Sequence, residues 1–374
     1  MDRRDFIIKS TLAGSTLLLS GRGLGANSLD EDFMLYEKLP RWRGFNLMEK
    51  QDIKKWGKYA AYQEQDFELM AEWGFNLIRL PLDYRCWAGA NDPYHLDEKT
   101  LKQIDQAVEW GKQYNIHISL NMYVAPGYRI GQELTPSLWL DENQEKLFSY
   151  YWSHFAERYK GVSSKDISFH LINEPGKVLP ETRPQLQVNA EMYLRVIGET
   201  VKAIRAKDSH RLIITDGLKW SLEPVPGLVE LKIAQSTHWF DPKELVFYNA
   251  PWLSKRSLKN QPEPAWPFPD NGQVLDKQWL YQQRIHPWQE LEKLGVGVQI
   301  SAWGILNTVP HEIAIRWMRD SLDLFKQAGW GWALWNFRDV HGFGILDGNR
   351  IDIKYESFKG HKVDRQMLEL LRKY

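Results

Sequence analysis

The chain has one cysteine in 374 residues, which excludes an intramolecular disulfide and any Cys-rich metal site. That residue, Cys86, sits in Tyr84-Arg85-Cys86-Trp87 without a base beside it and reads as packing. Net charge is missing as well, because 48 Lys and Arg offset 48 Asp and Glu. Without a basic excess there is no electrostatic footprint for phosphate or nucleic acid, so a neutral ligand is expected. No Gly-x-Gly-x-x-Gly turn follows an early strand, which argues against a dinucleotide-binding open sheet. No His-x-His or cluster of His and Asp stands at a strand end, so a metal-dependent hydrolase would lack its ligands. We expect no cofactor and no metal. Long apolar runs are also lacking, and no segment reads as a membrane span.

What is abundant is tryptophan, at 18 residues. One reading is core filler; the other is a cleft whose flat indole faces stack on the apolar C–H faces of sugar rings. Composition leaves both open.

The amino terminus carries Arg3-Arg4-x-Phe6-Ile7-x-Lys9, a weakly apolar stretch over 10–20 and small residues ending near Ala26. A charged start, a short apolar run and small residues make an export signal, not a membrane span. The paired arginines resemble a twin-arginine signal. Residues 1–26 are therefore expected to direct export to the periplasm or beyond, with 27–374 forming one domain.

From Trp42 onward short apolar runs alternate with long amphipathic ones. Strands are expected at 42–47, 75–82, 117–123, 167–173, 211–217, 232–239, 297–301 and 331–337. Helices are expected at 63–73, 97–114, 142–159, 190–206, 276–294, 311–328 and 363–372. A loop at 251–271, bearing Trp252, Trp266 and Phe268, is expected to wall a cleft. Strands separated by helical patterns imply parallel pairing, and eight such units imply a single (β/α)8 barrel of the α/β class. Chemistry in such a barrel belongs at the carboxyl ends of the strands.

The strongest local signal is Phe169-His170-Leu171-Ile172-Asn173-Glu174-Pro175. An apolar strand ends in Asn-Glu, and Pro175 stops its continuation. Taken alone, Glu174 is either an exposed strand-end residue or a rim carboxylate set for chemistry.

With Arg79 in Ile78-Arg79-Leu80-Pro81, His238 with Trp239, and Trp332-Ala333-Leu334-Trp335-Asn336-Phe337, the chain resembles glycoside hydrolase family 5. This is the cellulase and mannanase family of the barrel clan with catalytic residues on strands four and seven. The resemblance covers nearly all the chain after the signal. It implies a retaining β-glycosidase in which Glu174 is the general acid and base. It implies further that Arg79 supports the nucleophile, Asn173 binds the sugar 2-hydroxyl, His238 and Trp239 join the site, and Trp335 lies beneath the ring. Tyr123 stands where the family commonly has a His.

The family's nucleophile lies in a Gly-Glu-(Trp or Phe)-Gly motif after strand seven. Here the run is Val298-Gln299-Ile300-Ser301-Ala302-Trp303-Gly304, with Ala302 at the Glu position. A methyl group cannot attack an anomeric carbon, so the covalent intermediate of a retaining enzyme cannot form. Intact neighbours favour an introduced Glu-to-Ala change over a natural relative that has drifted. The expected partner is a β-linked oligo- or polysaccharide, β-1,4-glucan before mannan or mixed-linkage glucan, bound by a monomer without being cut. The rival reading is a non-catalytic sugar-binding barrel. The polar run 338–344 after the last strand is expected to add a substrate contact or block one end of the cleft.

Overall fold

The computed structural model describes residues 33–374 apart from 56, 133, 177–187 and 255–260, so the segment expected to be an export signal lies outside the described residues. Eight strands are ordered along the chain: β1 (Arg43–Asn46), β2 (Leu77–Asp83), β3 (His117–Ala125), β4 (Ile167–His170), β5 (Ile213–Asp216), β6 (Ala234–Trp239), β7 (Val298–Trp303) and β8 (Trp332–Leu334). Each neighbouring pair is parallel, and β2 pairs with β3 to close the ring opposite the β1–β8 and β7–β8 ladders. The expected (β/α)8 barrel is what forms.

The cause is legible in burial. β2 is covered at all seven positions of Leu-Ile-Arg-Leu-Pro-Leu-Asp, as a parallel strand packed on both faces must be. The surrounding helices are amphipathic. In Glu98–Tyr114 the buried residues are Thr100, Leu101, Ile104, Ala107, Val108 and Gly111, which follow the three-to-four residue spacing of one face. Asp97 caps its first turn by accepting from the Lys99 amide, and Asn115 ends it in the left-handed region at φ 55°.

Two stretches differ from their sequence patterns. The helix expected over 276–294 divides into Lys277–Leu280, a wide π turn at Tyr281–Ile285, and His286–Glu292. Pro287 has no amide hydrogen to return to the preceding turn, and the widened turn accommodates that gap. The loop 251–271 is the second. Trp266 is 5% exposed with its indole nitrogen 2.9 Å from Asp320 Oδ2, and Phe268 is 1% exposed in a small hairpin with Gln273–Leu275. Both belong to the core and not to a cleft wall; of the three aromatics only Trp252 is exposed.

The tryptophans are mostly core too. Trp152, Trp239, Trp288, Trp303, Trp317 and Trp332 are fully buried between barrel and helices. Truncating any one of them to Ala would cost about 3–5 kcal/mol.

Candidate active site

The carboxyl ends of the strands converge on one polar network. Glu174 follows β4 with φ 48°, a left-handed backbone that a non-glycine residue adopts only when its surroundings hold it there. They do so at three points. Its amide donates to Asp216 Oδ2 at 2.7 Å, its carbonyl accepts from the Tyr128 hydroxyl at 2.5 Å, and its Oε1 lies 2.6 Å from His238 Nδ1. The carboxyl remains partly open to solvent, at 16%.

Arg79, on β2, is the second anchor. Its guanidinium donates to Asn46 Oδ1 at 2.9 Å, Asn173 Oδ1 at 2.7 Å and His170 Nδ1 at 3.1 Å. Burial pulls its pKa down to about 10, against the pull of Asp216, Glu174 and Tyr123. The fixed fork therefore orients three neutral side chains while its charge faces the carboxylates. Asn173 in turn brings its amide within 3.4 Å of Glu174 Oε2.

Asp216, at the end of β5, is one of the residues the sequence reading passed over. It is fully buried and accepts from His170 Nε2 at 2.8 Å, from Ser301 Oγ at 3.2 Å and from the Ser236 hydroxyl. His238 Nε2 lies 3.0 Å from its Oδ2. Burial alone would raise its carboxyl, but His238 and His170 hold it well below the usual carboxylate range. The consequence falls on His238. Burial would lower that imidazole, yet Asp216 first and Glu174 second raise it to about 9. At neutral pH His238 is an imidazolium bracketed by two carboxylates.

His170 shows the opposite outcome a few ångströms away. Burial holds it at about 4 despite Asp216, and Arg79 adds to the lowering. A neutral ring fits its contacts, with Nε2 donating to Asp216 and Nδ1 accepting from Arg79.

Trp335 follows β8 and is partly exposed, with Tyr123 stacked near it at 5.8 Å between ring centres and 24° between planes. Burial, and then the charge of Glu174, push the Tyr123 phenol up, so its hydroxyl stays protonated. Trp239 corrects the sequence reading. It is fully buried, donates to Ser321 Oγ at 2.9 Å and meets Phe325 edge-on at 4.9 Å. Successive side chains of a strand point to opposite faces, so where His238 faces the site Trp239 faces the helices. It cannot contact a ligand.

Ala302 lies on β7 in register with His238, just past an irregularity between Ile300 and Ala302, and is 1% exposed. The methyl group thus stands beside the imidazolium, at the strand-seven end where the resemblance calls for a carboxylate. Asn46, His170 and Asp216 were the sequence's silent members. Each is a polar residue in or at the end of an apolar strand, the signal that singled out Glu174.

Comparison with known proteins agrees with the barrel fold. Residues 32–340 match the model of the cellulase family, glycosyl hydrolase family 5. Endoglucanase C of Acetivibrio thermocellus is 27% identical over 316 residues, covering 78% of this chain and 88% of that protein. A glucan 1,3-beta-glucosidase of Saccharomyces cerevisiae is 26% identical over 265 residues, 63% of this chain and 44% of that one. A crystal structure of a glycoside hydrolase superposes with a TM-score of 0.82 at 36% identity, covering 89% of this chain and 99% of the other. Cel5A of Thermotoga maritima, solved with mannotriose, shares the fold at a TM-score of 0.69 and 19% identity, over 92% and 99% of the two chains. With the family model matching most of the chain and the barrel shared with a solved glycoside hydrolase, the chain belongs to the cellulase family, glycosyl hydrolase family 5.

Proposed function

We propose that this chain is an exported β-glucan-directed barrel that holds its glycan without cutting it, because the nucleophile position is occupied by Ala302. The observation that carries this reading is the pairing of a complete acid/base assembly, Glu174 with His238 and Asp216, with a methyl group on the adjacent strand. In the retaining mechanism Glu174 protonates the leaving oxygen, and a carboxylate ~5 Å away attacks from the opposite face. Water activated by Glu174 then releases the product. Position 302 therefore serves both steps, as the nucleophile in the first and as the leaving group that water displaces in the second.

His238, raised to about 9 by Asp216 and Glu174, donates to Glu174 Oε1 and so fixes the orientation of the acid/base carboxyl. We assign Arg79 to the missing nucleophile, Asn173 to the sugar 2-hydroxyl, and Trp335 with Tyr123 to the ring face. β-1,4-Glucan is the favoured ligand because the curated relatives include endoglucanases. The twin-arginine-like segment at 1–26 fits delivery to a glycan outside the cytoplasm.

Azide tests the assignment of position 302. It can enter the space beside Ala302 and attack an activated β-aryl glycoside, giving an α-glycosyl azide while the untreated protein gives no product. Absence of that azide across glucosyl, cellobiosyl and mannosyl donors would count against the assignment.

A further inference from the structure

The strand that leads to the rim carboxylate stops short of it. β4 ends at His170, and the carbonyls beyond it are served by other parts of the molecule. Trp152 Nε1 donates to that of Leu171 at 3.1 Å, and the Trp220 amide to that of Pro175 at 3.2 Å. The carbonyls of Asn173 and Glu174 share one donor, the Tyr128 hydroxyl, at 3.1 and 2.5 Å.

Those two carbonyls flank a single Cα, that of Glu174. Each lies in a planar peptide unit, so the angle between them is set by the φ and ψ of Glu174 alone. In extended backbone successive carbonyls point to opposite sides, and one hydroxyl could not meet both. The left-handed turn at Glu174, with φ 48°, brings them to the same side. The Glu174 amide shares a peptide plane with the Asn173 carbonyl and points the other way, to Asp216 Oδ2 at 2.7 Å. Both peptide units are thereby fixed, and with them the direction in which the Glu174 side chain leaves the backbone.

Tyr128 is itself held firmly. It is 4% exposed, its ring meets Trp139 edge-on at 5.4 Å, and it pairs antiparallel with Ala125 across a tight turn. Gly127 makes that turn at φ 65°, where a Cβ would come within 2.5 Å of the Leu138 amide nitrogen. Burial, and then the charges of Glu174 and Asp216, push the phenol well above its usual range, so the hydroxyl keeps its proton and donates.

We infer that Tyr128 is a positioning residue for the acid/base: by bonding the carbonyls on either side of Glu174 it locks the backbone turn that aims the carboxyl at the leaving oxygen. The inference rests on the assignment of Glu174 as acid/base and of position 302 as the nucleophile site.

Azide rescue of the chain as it stands supplies the test, with kcat/KM read for two aryl β-cellobiosides. A 2,4-dinitrophenolate departs without a proton, whereas 4-nitrophenolate gains from one, so only the second depends on an aimed acid. Tyr128→Phe, which keeps the ring against Trp139, should lose about tenfold or more with the 4-nitrophenyl substrate and less than about twofold with the dinitrophenyl one. Glu174→Gln should show the same split, and larger. Trp239→Phe, a packing change away from the ligand, should show none. Equal loss on both substrates in Tyr128→Phe, or no loss on either, overturns the positioning role while Glu174→Gln still shows its split. Absence of a split in Glu174→Gln sinks the acid/base assignment. Absence of α-cellobiosyl azide from the parent sinks the assignment of position 302, and both of these failures take the inference with them.

Discussion

Two histidines at opposite ends of the barrel are equally buried and carry opposite charge states. His117 begins β3 at 3% exposure; its ring stacks on Trp42 at 3.6 Å, Nδ1 lies 2.9 Å from the Lys165 carbonyl and Nε2 2.8 Å from Ser168 Oγ. Burial drives it down to about 3, with Arg211 adding to the effect. His238, near the end of β6 at 2% exposure, is raised to about 9 by Asp216 and Glu174. Burial alone therefore does not decide the charge of a core histidine here; the carboxylates gathered at one end of the strands do. The amino end of the barrel offers His117 a carbonyl, a hydroxyl and a neighbouring cation, and it stays neutral. One end is built for stability and the other for holding charge.

The largest expected effect comes from removing the anion that creates the difference. Asp216→Asn should destabilise the protein by about 3 kcal/mol or more, because the buried negative charge beside His238 is lost and an NH2 donor replaces one of two acceptors, facing either the Glu174 amide and His238 or His170 and the hydroxyls of Ser236 and Ser301. In the same variant, NMR titration of His238 should move from about 9 toward the His117 regime. An unshifted His238 would break the comparison.

The pH dependence of stability should be two-sided. An unfolded histidine titrates near ~6.5. His238, folded at about 9, contributes stability that is fully present below ~6.5 and lost as pH rises through about 9. His117, folded at about 3, contributes stability present above ~6.5 and lost as pH falls toward about 3. Melting curves of His238→Asn should flatten the alkaline limb and those of His117→Gln the acid limb. Loss of the same limb in both variants would mean that the two sites are not independent.

Smaller effects separate binding from packing. Trp335→Ala should weaken glycan binding by about 1 kcal/mol or more through loss of the stacking face, with little change in melting temperature. Trp239→Phe should leave affinity unchanged and cost about 1 kcal/mol of stability, the worth of its hydrogen bond to Ser321. Trp239→Phe weakening the glycan while Trp335→Ala does not would reverse the assignment of the two faces.

Much of this was legible in the sequence, and the remainder was hidden for physical reasons. The eight strands could be read because parallel strands covered on both faces appear as apolar runs, as in Leu77–Asp83. Glu174 could be read because Asn173-Glu174-Pro175 closes an apolar run, although the strand itself ends at His170. Trp239 misled because adjacency to His238 in sequence means opposite faces in a strand. Trp266 and Phe268 misled because aromatics in a Pro-rich loop look like a cleft wall until the hairpin folds them inward. Asp216, His170 and Asn46 come from three different strands, and only closure of the barrel brings them to Arg79, Glu174 and His238.

The most direct test is the Ala302→Glu variant assayed with an aryl β-cellobioside, following the released sugar by proton NMR. Hydrolysis should appear, with the β-anomer formed first and then mutarotating, and Glu174→Gln in that background should abolish it. An Ala302→Glu protein that folds, binds cello-oligosaccharides as the parent does and still releases no sugar would contradict the claim that position 302 alone separates this barrel from catalysis.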